Sequence, residues 1–298
     1  MAGDEEESKT GGAEGVEDDT APKMKELHMR ERAIARAEDL QETKVEGKMR
    51  DRSGLTELHF NETIQQAVNK KLDELEISNG RLNSAAKIFK KICGHYPAAI
   101  GKAVSKKERQ DDALEEQSLV YGEIQFRTFA LALEKIRHKY GGLSEPGGIF
   151  VDVGSGSGKP VFAAMLMHEF DRVIGIEILT GLHELSRDME AIWHERKHKI
   201  GGITEKMSKT QIEFIRGDIF NVDWSDATLA FVNSTCFDDE MMNRLVEPAD
   251  KMKPGSFFIS FTRRIPSENW QVLEYERHLM SWGDATVFIH QRKADLQT

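Results

Sequence analysis

From about residue 117 onward, short apolar runs alternate with segments whose apolar residues return every three or four positions. Ile149 to Val153, Arg172 to Ile176, Ile212 to Arg216, Leu229 to Val232 and Ser256 to Phe261 have the length and β-branched or aromatic content of buried strands. Between them the period lengthens. Phe126, Phe129, Ala130, Leu133 and Ile136 predict a helix ending at Gly141-Gly142. Further helices are predicted over Lys159 to Phe170, Leu179 to Lys199 and Asp238 to Lys251, and Gln271 to Glu276 with Thr286 to Gln291 predicts a terminal antiparallel pair. Strands that alternate with helices imply an α/β fold with a mostly parallel sheet. Ahead of it lies a small helical region. Asn61 is its expected N-cap, Ile64, Ala67, Val68 and Leu72 form one apolar face, and Ala85, Ile88, Phe89 and Ile92 form a second.

Charge divides the chain further. Of the net −10, residues 1–20 supply −7, from eight acids against Lys9, so the remainder carries −3. Such a leader lacks the apolar surface to order itself. The expected organisation is a disordered acidic tail over 1–22, a helical region over 23–116 and an α/β domain over 117–298. Lys87, Lys90, Lys91, Lys102, Lys106, Lys107 and Arg109 form the most basic stretch. It is a candidate nucleic-acid contact through the N-terminal helices, with a solvated helix surface as the alternative. No apolar run approaches the roughly 18 residues of a membrane span, and no secretory leader is evident. Cys93 and Cys236 are far apart, so neither a disulfide framework nor a metal cluster is expected. A nuclear setting is expected, with cytoplasm as the alternative.

The candidate chemistry begins at the first strand. It runs into Asp152-Val153-Gly154-Ser155-Gly156-Ser157-Gly158 and then a helix starting at Lys159. Glycines there permit positive φ and close backbone approach, and the helix start offers unpaired N–H groups. Ligands of open α/β sheets bind at the carboxyl ends of such strands. Glycine spacing alone also suits a dinucleotide, but Asp152 stands where dinucleotide sites carry an apolar residue, and the loop lies mid-chain. Both features favour S-adenosyl-L-methionine (SAM). Glu177 ends the second strand, 23 residues after Gly154, at the spacing of an acid that accepts from ribose hydroxyls. At the end of the third strand, Asp218 is placed to accept from an adenine amino group, with Ile219 or Phe220 packed on the ring. The fourth strand ends in Phe231-Val232-Asn233-Ser234-Thr235-Cys236-Phe237. Asn233 is a candidate for binding the methionyl portion of the cofactor or for orienting the acceptor, and Phe231 or Phe237 for walling a narrow channel. Methyl transfer depends on in-line approach and a neutral nucleophile, and a lysine loses its proton more readily in a desolvated slot.

Val120-Tyr121-Gly122-Glu123, Phe150 to Gly158, Gly175-Ile176-Glu177, Gly217-Asp218, Phe231-Val232-Asn233 and Ser281-Trp282-Gly283 stand in an order and spacing that resembles one family. It is the non-SET histone lysine methyltransferases called disruptor of telomeric silencing, and the likeness spans roughly residues 118–292. The resemblance implies a class I, Rossmann-like SAM methyltransferase fold, and methylation of a lysine on the core of histone H3 in the nucleosome. It further implies that Tyr121, Glu123 and Ile124 form a loop closing over SAM. Glu177 would hold the ribose, Asp218 the adenine side, and Asn233 would sit beside the transferred methyl. The expected cofactor site is therefore Tyr121, Glu123, Ile124, Asp152, Gly154, Ser155, Gly156, Gly158, Lys159, Glu177, Asp218, Ile219 and Asn233, with Asn233, Tyr121 and Phe237 as catalytic candidates.

Ser234 stands where the family usually has a second Asn, Lys159 where it has Gln, and Thr286 and Val287 where a pair of tyrosines helps form the lysine channel. Other readings are a methyltransferase for another protein or small molecule, a SAM-binding but inactive interaction module, and a NAD-dependent oxidoreductase. Cys236 reads as a nucleophile or a packing residue. His183 and His194 read as acid–base groups or surface histidines, and Arg263-Arg264 as an acceptor-binding pair or turn charges. Trp282 reads as turn packing or a stacking platform.

Overall fold

The structure is a computed structural model that describes residues 57–114, 119–280 and 282–295. The expectations for the acidic tail and for the first part of the helical region, residues 23–56, lie outside the described residues. Helix α1 (Glu57–Glu74) buries Phe60, Ile64, Val68 and Leu72, one residue per turn. Asn61 lies inside α1 and is exposed, so it is not the N-cap. The described helix already runs from Glu57, and the apolar stripe begins at Phe60. Helix α2 (Gly80–Cys93) buries Leu82, Ala85, Ile88 and Ile92, and α3 (Ala98–Asp111) buries Ile100 and Gly101. Helix α4 (Phe126–Lys139) is buried along most of its length.

Seven strands follow: β1 (Ile149–Val153), β2 (Arg172–Glu177), β3 (Gln211–Arg216), β4 (Leu229–Val232), β5 (Phe257–Phe261), β6 (Trp270–Met280) and β7 (Gly283–Arg292). They form one sheet in the order β3-β2-β1-β4-β5-β7-β6. The first five are parallel, and β7 pairs antiparallel with both β5 and β6. Helices α5 (Lys159–Met167), α6 (Thr180–Arg196), α7 (Glu205–Lys209) and α8 (Asp239–Asp250) lie along the connections. The central strands β4 and β5 are continuous buried runs, as expected for strands covered on both faces. Phe231 packs edge-on between Phe129, 5.0 Å away, and Phe261, 5.1 Å away.

The terminal pair is longer than its apolar pattern predicts. Polar residues interrupt both ends, and β6 carries Glu274 and Glu276 toward the protein, where the buried Lys135 ammonium donates to both at 2.5 and 2.7 Å. Pairing a cation with those carboxylates lets charged residues occupy a half-buried strand.

Register fixes where the site forms. Val153 pairs with Ile176 and with Val232, and Glu177 with Arg216. The four parallel strands β1 to β4 therefore end side by side, and the segments that begin at Gly154, Ile178, Gly217 and Asn233 leave along one edge.

Candidate active site

Three glycines after β1 adopt positive φ: Gly154 at 84°, Gly156 at 54° and Gly158 at 85°. Each is needed differently. A Cβ at Gly154 would project into open space, whereas one at Gly156 would lie 2.5 Å from the Tyr121 ring and one at Gly158 2.5 Å from Phe214. The loop is tied to β2 by Gly154 N and Ser155 N, which both donate to Ile176 O. The Glu177 carboxylate then closes the turn, accepting from Gly156 N at 2.7 Å and Leu179 N at 2.8 Å. Burial raises the Glu177 pKa, and the bonds from Leu179 and Gly156 partly oppose it. Asp152 is fully buried beneath the loop, and neither of its oxygens has a hydrogen-bond partner. Burial, then repulsion from Glu177, pushes its carboxyl well above the usual range.

On the far side, Asp218 Oδ1 accepts from Phe220 N at 3.0 Å, which aims the turn after β3. The Arg244 guanidinium, from α8, lies 4.0 Å over the Phe220 ring. At the end of β4, Asn233 Nδ2 donates to Gly122 O at 3.0 Å. Tyr121 Oη donates to Glu123 at 2.6 Å and lies 2.7 Å from Ser157 Oγ; its single proton goes to Glu123, so Ser157 donates. Burial foremost, then Glu123, raises its pKa well above that of a free phenol. Glu123 in turn accepts from Lys159 Nζ through both oxygens at 2.7 Å.

A cavity of about 250 Å³ opens at this edge, and Tyr121, Gly154, Gly156, Glu177, Asp218, Ile219, Asn233 and Phe237 all line it. Glu123, Ile124, Asp152, Ser155, Gly158 and Lys159 stand behind that lining. Lys159 and Glu123 form a buried pair supporting Tyr121, Ile124 is buried, and Gly158 packs against Phe214. Ile178, Leu182, Met241 and Arg244 also line the cavity, although no sequence motif pointed to them. Arg244 sits one turn after Met241 on an amphipathic helix, but only the folded chain shows which turn faces the site.

Several alternatives resolve. Phe231 is 1% exposed and belongs to the core, so of the two phenylalanines Phe237 is the one at the cavity. His183 Nε2 lies 3.1 Å from Phe214 O, and His194 is an exposed helix residue near Glu190. Cys236 has a thiol pKa raised by burial, opposite to an activated nucleophile. Arg263 pairs with Asp239. Trp282 is more than a distant turn residue: a Cβ built at Gly122 would lie 3.8 Å from its ring and 3.4 Å from Asn233 Nδ2. Val287 faces a small cavity shared with Lys135 and Glu276, away from Asn233. Among the described residues no group of three or more His, Cys, Asp or Glu could hold a metal ion.

A sheet of this order, with β7 alone reversed between β5 and β6 and a glycine turn after β1, has the class I methyltransferase architecture. The family described as Histone methylation protein DOT1 matches residues 102–281, more than half of the chain, and the chain belongs to that family. The match begins inside α3, ahead of the roughly 118 anticipated from motifs. The chain is similar to a Dictyostelium discoideum protein described as Histone-lysine N-methyltransferase, H3 lysine-79 specific, with 28% identity over 164 residues. That match spans 49% of this chain and 9% of the relative's length. Among solved structures it is similar to an RNA methyltransferase from Salinibacter ruber in complex with S-adenosyl-L-homocysteine, at 20% identity and a TM-score of 0.38, covering 56% of this chain and 93% of that one. It is also similar to TrmN from Thermus thermophilus, at 15% identity and a TM-score of 0.43, covering 62% and 53% of the two chains.

Proposed function

We propose that the protein transfers a methyl group from SAM to a lysine amine on the core of histone H3. One observation carries the reading: Gly154, Glu177, Asp218 and Asn233, from four separate strand ends, line a single cavity. The residues fit the cofactor. Open space above Gly154 leaves room for close approach of a ligand. A carboxylate offers about four acceptor sites, so Glu177 keeps capacity for ribose hydroxyls after accepting from Gly156 and Leu179. Asp218 likewise keeps an oxygen for an amino group, with Ile219 and Phe220 beside it. Asp152 and Ser155 Oγ, behind the lining at the glycine turn, are buried polar groups without a partner, the kind of group that elsewhere in proteins is satisfied by a hydrogen bond.

When bound, SAM supplies a methyl group on a positively charged sulfur. The protein's part is to seat it and to present the acceptor in line. Tyr121, held by Glu123 and Ser157, covers the glycine turn. Asn233, bonded to Gly122, marks the end where the acceptor enters. Desolvation near Phe237 and Trp282 lowers the pKa of an incoming ammonium, so the amine reacts in its neutral form.

The test is incubation of the full chain with methyl-labelled SAM and nucleosomes or free histones, beside calorimetry with SAM and NAD. Label on an H3 core lysine and binding of SAM but not NAD are expected. Binding of SAM without transfer to any histone would replace this reading with an interaction module, and label on another class of acceptor would replace the substrate.

A nucleosome contact is supported by the exposed Lys87, Lys90, Lys91, Lys106 and Lys107 of α2 and α3, which make no ion pair among the described residues. Phosphate contacts of this kind give salt-dependent affinity. Binding to duplex DNA should weaken steeply with salt, and charge reversal at Lys106 and Lys107 should flatten that dependence. Action on chromatin implies a nuclear location.

A further inference from the structure

Asn233 is held by more than Gly122. Thr235, two residues on in the same 3-10 turn, donates its hydroxyl proton to Asn233 Oδ1 at 2.8 Å. The Thr235 and Thr262 hydroxyls are 2.9 Å apart. Thr235 has one proton and spends it on Asn233, so Thr262 is the donor in that contact. A one-way chain results, from Thr262 to Thr235 to Asn233 Oδ1, with Asn233 Nδ2 passing on to Gly122 O.

Thr262 has φ +71°, a region that β-branched residues avoid. It is held there by its own N–H, which donates to Thr286 O at 2.6 Å. Strain of this sort persists where surrounding structure over-determines it, and it gathers at functional sites. Here the strained residue presents its hydroxyl to Thr235 at the end of β5.

We propose that Thr235, backed by Thr262, is a positioning residue that fixes the orientation of the Asn233 amide and thereby ties the Tyr121-Gly122-Glu123 loop across the cavity. Turning the amide over would set its oxygen against the Gly122 carbonyl, two acceptors with no proton between them. With both ends committed, one Nδ2 hydrogen and one Oδ1 lone pair remain for whatever occupies the cavity, in a fixed arrangement. Thr262 is exposed, so water partly replaces its hydroxyl. Thr235 is partly buried and therefore matters more. This inference rests on the proposed transfer reaction for its kinetic readout but not for its structural one.

The experiment compares T235V and T235S in the full chain. T235V should lower kcat about three- to tenfold, the worth of one lost hydrogen bond, with KM for SAM little changed; T235S, which keeps the donor, should restore most of the rate. Independently of turnover, backbone hydrogen exchange around Gly122 should quicken in T235V and not in T235S, with thermal midpoints compared as a control. If histones prove not to be substrates, the exchange result alone decides. Unchanged exchange around Gly122 in T235V, or equal quickening in T235S, overturns the proposal.

Discussion

The Tyr121 ring occupies the space a side chain would need at Gly156, and at Gly101 on its other flank: Cβ atoms there would lie 2.5 and 2.4 Å from ring carbons. Two glycines 55 positions apart thus form a slot for one aromatic ring. Gly156→Ala meets that ring and also places Ala at φ +54°, which costs about 1–2 kcal/mol in the left-handed region. The ring must move off the glycine turn. SAM affinity should fall at least about tenfold, equivalent to about 1.4 kcal/mol, measured by calorimetry. Wild-type affinity in this variant would mean that the Tyr121 seat is irrelevant to the cofactor.

Helix α6 begins directly after the Glu177 turn, and its first amides meet two carboxylates. Glu177 takes Leu179 N, while Glu108 of α3 takes Thr180 N at 2.6 Å and Gly181 N at 2.7 Å. Free N–H groups at a helix start need acceptors, and an anion there also suits the helix dipole. Glu108→Ala should cost about 1 kcal/mol of stability, the usual worth of a cap, and should weaken SAM binding by loosening Leu179 against Glu177. Urea unfolding and calorimetry check both. A loss of stability with unchanged SAM affinity would confine Glu108 to a purely structural cap.

Much of this was legible before folding. Apolar runs marked β1, β2, β4 and β5 within a residue or so, because strands buried on both faces need unbroken hydrophobic sequence; the edge strand β3 was marked as closely, although only Phe214 of it is buried. The spacing from Gly154 to Glu177 follows from one strand–helix–strand crossover, so those two meet as anticipated. Glu108 and Gly101 carried no local signal. One is an acid in a charged helix, the other a small residue before a lysine, and each acquires meaning only when α3 packs beside residues tens of positions away. Thr235 was hidden for the same reason. Its partner Thr262 lies on another strand end, and its unusual φ depends on the Thr286 carbonyl.

Separating the two ends of the cavity distinguishes binding from transfer. Glu177→Ala removes the acceptor shared by Gly156 N, Leu179 N and any ribose hydroxyl, so SAM affinity should drop first, by at least about tenfold. Asn233→Ala should abolish transfer while SAM binding remains measurable. Full turnover in Asn233→Ala would remove that residue from the transfer step.

Two buried histidines weaken the fold in acid, while Asp152 and Glu177, whose pKa values are raised by burial, act in the opposite direction. His290 Nε2 accepts from Ile265 N, leaving Nδ1–H to donate to Phe258 O; His168 Nδ1 faces Arg137, leaving Nε2–H for Gly147 O. Burial lowers both pKa values from 6.5 to about 4, with Phe258 and Gly147 carbonyls opposing. The unfolded chain therefore binds more protons than the folded one between those values. Stability is lost as pH falls from 6.5 toward 4, on the order of 3 kcal/mol for each histidine. Glu274 acts in a lower window. Burial raises its pKa, but Lys135, Lys139 and Tyr140 outweigh that and bring it to about 2, so its contribution fades between 4.5 and 2. Urea midpoints should fall more steeply between pH 7 and 4 in the wild type than in His290→Gln, at whatever baseline stability that variant has, and the difference isolates the histidine from the opposing carboxyls. Parallel profiles in the two proteins would contradict a neutral, buried His290.

Lys159, where the family usually carries Gln, tests whether this chain has rebuilt the support of its closing loop. Its ammonium reaches both Glu123 oxygens at 2.7 Å, with 9% and 13% of the two side chains exposed. Removing one partner of a buried pair leaves the other charge uncompensated, at about 3–5 kcal/mol when burial is complete. Partial exposure of Glu123 lets water recover some of that, so Lys159→Met should cost about 2–3 kcal/mol. Lys159→Gln keeps a neutral donor and should cost less. Glu123→Gln in the Lys159→Met background should regain part of the loss, because the unpaired anion is gone. A double-mutant cycle on urea unfolding measures the coupling. If it is near zero, Tyr121 holds Glu123 unaided and the lysine is incidental; if it is large, the pair is the footing on which Tyr121 covers the glycine turn.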